Sequence, residues 1–131
     1  MRPKERVLGI GGFFFRARDP QALGRWYETN LGVSLTPRDY DSESWRQQEG
    51  ATVFEPFPSD SDFFGRPEQQ WMLNFRVRDL AAMVRQLRDA NVAVELDATD
   101  CPNGVFASLH DPEGNPIQRW EPRGKAAEAR N

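Results

Sequence analysis

Only one cysteine and one histidine occur in this 131-residue chain, and they stand nine positions apart at Cys101 and His110. A lone cysteine excludes an internal disulfide framework and suits a reducing compartment, so a cytoplasmic location is expected. With no second partner of either kind, a Cys/His metal centre has no ligand set to build on. No apolar run approaches the roughly 20 residues that span a bilayer, so no membrane segment is expected. The opening "MRPKERVLGIGG" has basic residues but lacks the apolar block of a secretory signal. A net charge of −3 and scattered arginines leave no electrostatic footprint for nucleic acid. "GIGG" (Gly9 to Gly12) lacks the spacing of a phosphate loop, and Cys101 has no base beside it in sequence that would make it a nucleophile.

What is present is a repeat. Sliding the chain by 60 residues aligns "FRARDPQALGR" (Phe15 to Arg25) with "FRVRDLAAMVR" (Phe75 to Arg85), with six identities in eleven positions. Each copy begins with a β-rich run, "GGFFFRA" or "WMLNFRV", followed by an aspartate placed to cap a helix. Pro20 follows Asp19 at the first helical position, where its missing N–H costs nothing. Leu23, Trp26, Tyr27 and Leu31 recur at helical spacing before a stop at Gly32. Leu80, Met83, Val84, Leu87 and Ala90 make the second stripe, and Asn91 takes the stop position. Short strands are predicted at 33–36, 44–47 and 52–57, then at 93–96, 105–110 and 116–120.

Both halves therefore read βαβββ, giving one α+β domain over residues 1–131. Its first module covers about 7–58, a Pro/Ser/Asp/Gly-rich linker 59–70, the second module about 71–122 and a polar tail 123–131.

Strand parity turns this order into a site map, because alternate side chains point to opposite faces. Phe13, Phe15 and Ala17, like Leu73, Phe75 and Val77, suit packing beneath a helix. Gly12, Phe14, Arg16 and Arg18, like Met72, Asn74, Arg76 and Arg78, form a mixed face that meets solvent or lines a cleft.

The stretches "GIGGFFFRARDPQALGRWYETNLGV" and "HDPEGNPIQRWEP", taken with the duplicated unit, resemble the vicinal oxygen chelate superfamily. That superfamily includes glyoxalase I, bleomycin-resistance proteins and extradiol dioxygenases. The likeness runs from about Gly9 to Pro122 and is similar to small bacterial single-domain members. It implies a curved mixed sheet forming an incomplete barrel around a cleft, helices on the outer face, and a homodimer. One such scaffold carries lyases, dioxygenases and pure binders. Metal-dependent members place ligands, usually His and Glu, on the first and last strand of each module. Carried over by position, those sites fall on Gly12, Glu55, Met72 and Gln118. Glycine offers no donor, methionine is a soft thioether and glutamine a neutral amide, so one carboxylate remains where three or four ligands are normal. No metal and no cofactor are expected.

Individual residues keep two readings each. Glu55 could serve as a general base or pair with an arginine. Arg16 and Arg76 could fork around an anionic group or stand solvated at strand ends. His110 could move protons or simply occupy a turn. Phe14, Phe57, Phe63, Phe64, Trp71 and Trp120 could wall a pocket, fill the core or meet a second subunit. Phe63 and Phe64, in the linker, would cover the cleft or pack on a partner. Asp60 to Asp62 reads as a solvated loop or a weak ion site. The favoured function is metal-free binding of an aromatic or apolar small molecule with a polar or anionic group. Its contacts would come from Phe14, Arg16, Glu55, Phe57, Asn74, Arg76, Gln118 and Trp120. The alternatives are a lyase or isomerase with Glu55 as base, and an interaction domain using Phe63 and Phe64.

Overall fold

Asp19 and Asp79, the paired aspartates of the repeat, do start helices. The structure, a computed structural model, describes residues 4–97 and 101–127. Asp19 accepts from the backbone N–H of Ala22 (3.1 Å) and opens α1, Pro20–Leu31, with proline in the first turn. Gly32 closes it in the left-handed region at φ 73°, as a glycine stop does. Asp79 accepts from Ala82 N–H (3.0 Å) and opens α2, Leu80–Asp89. Asn91, at φ 62°, takes the left-handed turn after it, as its place behind the apolar stripe predicts.

The second module follows the expected βαβββ order: β1 (Leu73–Arg76), α2, β2 (Glu95–Leu96), β3 (Gly104–His110) and β4 (Pro116–Pro122). These strands form one mixed sheet in the order β1-β4-β3-β2 that does not close into a barrel. β4 runs parallel to β1, with Asn74 opposite Gln118 and Phe75 opposite Arg119, and antiparallel to β3. Leu23 and Tyr27 of α1 and Leu80, Val84 and Leu87 of α2 meet Val94, Ala107, Leu109 and Ile117 in one buried cluster. Ala17, Phe75 and Val77 pack against it, as their parity predicts, whereas Phe13 and Phe15 of the same expected face stay 44% and 36% exposed because no strand forms there. The chain is thus α+β, and no helix among the described residues is long and apolar enough to cross a membrane.

The tight turn "DPEGN" joins the two modules. Asp111, 4% exposed, accepts through Oδ1 from the N–H groups of Glu113 (2.9 Å) and Asn115 (3.0 Å). Its Oδ2 accepts from the Tyr27 hydroxyl of α1 (2.7 Å) and from Asn115 Nδ2 (2.8 Å). Glu113 in the same turn accepts the N–H groups of Arg18 (2.7 Å) and Asp19 (3.0 Å), satisfying donors at the entry to α1. Glu121 does the same for α2 through Leu80 N–H (2.9 Å). One hairpin therefore holds both helix N-termini.

The first module departs from expectation. The strands predicted in the "GGFFFRA" run and at 33–36, 44–47 and 52–57 are not formed; among the described residues this half contributes α1 and irregular backbone. Period-two patterning specifies which side chains share a face, whereas a strand also needs a neighbouring backbone to satisfy its N–H and C=O groups. Among the described residues no such neighbour is supplied, and the edge of β1 beside segment 45–53 is unpaired. Phe14, Val53 and Phe54 are left exposed as a result. The β2 strand is shorter than its predicted 93–96, while β3 and β4 each extend slightly beyond theirs. The tail is less free than its polarity suggests: Arg123 N–H donates to Asn103 C=O (2.9 Å), and Gly124–Ala127 forms a 3₁₀ turn.

Candidate functional site

Because β1 is an edge strand, side chains from both its faces reach one cleft. This cleft, about 590 Å³, lies between β1, the end of α1 (Leu31, Val33), the outer side of α2 (Ala82, Met83, Gln86) and the 45–53 wall. Its volume falls within the range of small-molecule pockets. Trp45 and Phe75 meet edge-on with centroids 6.5 Å apart, and Phe75 continues to Tyr27 at 6.4 Å. Polar groups converge on the same space from Asn74, Arg76, Gln47 and Arg119.

Three of the eight proposed contact residues line this cleft: Asn74, Arg76 and Trp120. Arg76 Nη2 donates to the Gln48 carbonyl (2.7 Å), which ties the 45–53 wall to the sheet. Asn74 Nδ2 donates to Gln118 Oε1 (2.6 Å) across the β1/β4 pair. Trp120 is buried; its Nε1 donates to Asn103 C=O (3.0 Å), and its ring stacks on Phe106 at 6.3 Å. Arg16 belongs to a separate groove of about 430 Å³ with Arg18, Arg66 and Glu113. Phe14 is 93% exposed, and Glu55 is exposed as well; neither lines either cavity. Phe57 stacks on Phe64 (5.2 Å) and meets Phe63 (5.5 Å), a ring cluster outside the cleft. Trp71 packs on Phe13 (5.1 Å) and Phe15 (4.9 Å). His110 ends β3 opposite Pro116 with its side chain exposed, and Cys101 makes an isolated bridge to Gly104.

The four positions inherited from metal-binding relatives do not make a donor set. Gly12 has no side-chain donor, the Gln118 oxygen already accepts from Asn74, and Glu55 lies exposed on irregular backbone. Among the described residues no three or more His, Cys, Asp or Glu side chains gather to hold an ion. The residues at these four positions do not fit a divalent metal.

Two buried groups escaped the sequence reading. Arg119 is 2% exposed, with its guanidinium carbon 5.1 Å from the Phe75 ring centre. Burial pushes its pKa down to about 10, which leaves it cationic at neutral pH. The available signal was parity: in "PIQRW" Arg119 shares a face with the core residue Ile117. Tyr27 was read only as part of a helical stripe. Its phenol is pushed well above the ordinary 10.0, first by burial and then by its hydrogen bond to the Asp111 carboxylate. An unfolded tyrosine ionises near 10 while the folded one stays neutral, so this contribution is complete below pH 10 and is lost as pH rises beyond it. Urea unfolding followed from pH 9 to 11 should show stability falling by up to about 1.4 kcal/mol per pH unit above 10. Tyr27→Phe should remove that part of the slope, and an unchanged slope would disprove the coupling.

Comparison with known proteins agrees with this architecture. No curated protein matches the chain. Among solved structures, TnmS3, an antibiotic-binding protein from Streptomyces sp. CB03234, aligns with a TM-score of 0.60 and 20% identity. That alignment covers 91% of this chain and 99% of TnmS3. A glyoxylase/bleomycin resistance protein/dioxygenase domain from Frankia sp. EAN1pec aligns with a TM-score of 0.55 and 15% identity, over 90% of this chain and 100% of that one. A glyoxalase family protein from Bacillus anthracis matches over only 44% of this chain and 47% of its own length, at 22% identity and a TM-score of 0.38. At their identities the TnmS3 and Frankia alignments show a likeness of fold. The family description "Glyoxalase-like domain" matches residues 12–118, most of the chain and both copies of its repeat, and the protein therefore belongs to the glyoxalase-like domain family within the vicinal oxygen chelate group.

Proposed function

We propose that this protein binds a small aromatic or apolar molecule in the β1-edge cleft and does so without a metal. The observation that carries this reading is the cleft itself: about 590 Å³, with Trp45 and Phe75 as apolar walls and Asn74, Arg76 and Arg119 as convergent polar groups. The antibiotic-binding role named for TnmS3, whose fold this chain shares, supports the same class of function. Sequestration rather than turnover fits a cleft whose lining contains Asp79, the N-cap of α2, as its one carboxylate. Glu55 is exposed elsewhere.

A cytoplasmic homodimer completes the proposal. Val7, Leu8, Phe14 and Phe54 are each more than four-fifths exposed, an apolar surface that a second copy would cover. Light scattering on purified protein should give twice the 15.0 kDa chain mass; a monomer would remove the dimer from the proposal.

A thermal-shift screen with aromatic compounds tests the binding itself. Hits should compete with one another and should broaden the Asn74 and Arg76 amide resonances. Glu55→Gln should bind as the unaltered protein does, within about twofold, as expected for an exposed side chain distant from the ligand. A broad library without a single hit overturns the reading.

A further inference from the structure

Arg119 gives the proposed ligand a charge. Arginine is almost never fully buried unless paired, yet Arg119 is 2% exposed and both its Nε and Nη2 lack a hydrogen-bond partner. Those two nitrogens form one edge of the guanidinium, the edge that takes both oxygens of a carboxylate side by side. The side chain lines the cleft beside Phe75, whose ring lies under the guanidinium at 5.1 Å, with Trp45 beyond at 6.5 Å. Arg76, the nearby alternative, has already committed Nη2 to the Gln48 carbonyl. A buried cation without an anion is costly, and an incoming carboxylate would offset that cost while a neutral group would not.

We infer that the β1-edge cleft selects aromatic carboxylates, with Arg119 Nε and Nη2 holding the carboxylate and Phe75 and Trp45 flanking the ring. This rests on the small-molecule-binding reading above and narrows it to an anionic class. The edge is covered in the free chain, so the ligand inserts instead of resting on a surface. Phe75 is the ring seated on the guanidinium, and it is held in turn by Trp45 of the 45–53 wall, which the Arg76–Gln48 hydrogen bond joins to β1.

The test compares 2-naphthoate with 2-naphthalenemethanol, which keeps the ring and removes the charge, on the full chain. Calorimetric titration should show the carboxylate binding at least about tenfold more tightly than the alcohol. In Arg119→Met, which keeps an apolar stem of similar length, that preference should fall to parity while the alcohol still binds. Should this variant fail to fold, the unaltered protein still decides the matter. The Arg119 Nε–H proton resonance should move downfield on addition of naphthoate and stay in place with the alcohol. Equal affinity for the two probes, a preference that survives in Arg119→Met, or an unmoved Nε–H signal at saturating naphthoate overturns the inference and leaves small-molecule binding intact. Failure of both probes to bind at all overturns the inference and counts against the broader reading as well.

Discussion

Replacing Asp111 with alanine should cost the fold about 3–5 kcal/mol. This small side chain accepts four hydrogen bonds at 4% exposure: two from backbone N–H groups inside its own turn, one from Asn115 and one from Tyr27 of α1. Truncation leaves three buried donors and one half-buried donor without an acceptor, and the penalty for stranding a buried donor exceeds the net worth of the bond it made. Asp111→Asn should cost less, about 1–3 kcal/mol, because the amide oxygen still serves two donors while its NH₂ group faces the Asn115 amide. Tyr27→Phe should cost only about 1 kcal/mol, since it deletes one donor and leaves the carboxylate three. Urea unfolding of the three variants checks the order. If Asp111→Ala proves no worse than Tyr27→Phe, the turn does not act as the joint between the modules. The double variant should show a coupling energy, because both changes strike one network.

Gly104→Val should produce the second large loss, about 2–4 kcal/mol, from two causes acting together. The backbone there adopts φ 145°, a conformation that residues with side chains rarely take. A Cβ would also overlap the Glu121 carbonyl oxygen and come within 2.6 Å of Trp120 Nε1. Neither neighbour can move cheaply. The carbonyl belongs to β4 in the paired β3/β4 ladder, and the indole nitrogen is bonded to Asn103 C=O at 3.0 Å. Displacing Trp120 should loosen the cleft as well as the sheet, so the expected signature is double. The urea midpoint should drop, and the Trp120 indole N–H should exchange faster with solvent. A normal midpoint with a protected indole would show that the ladder absorbs the extra carbon.

How much of this was legible in the chain differs from element to element. Asp19, Pro20 and Gly32 bracket α1 as their chemistry requires, and Asp79 and Asn91 bracket α2. The predicted 105–110 and 116–120 strands lie within β3 and β4 around a turn rich in proline and glycine. Parity correctly sent Phe75 and Val77 to the core and left Arg16 outside it. It also separates Gln118 from Arg119, and the resemblance to metal-binding relatives singles out only Gln118. Phe63 and Phe64 pack on Phe57, a contact that sequence patterning does not specify, and Phe63 stays 54% exposed.

The chain alone determined its helices, their caps and the hairpin turn, because these depend on groups within about four positions of one another. Only the tertiary structure decided that the first module lays down no ladder among the described residues, since pairing needs a second backbone that patterning does not name. It alone also placed an unpartnered guanidinium beneath a cleft. That burial depends on Tyr27 of α1 and Phe75 of β1 meeting β4 at Arg119, and the three segments lie far apart along the chain.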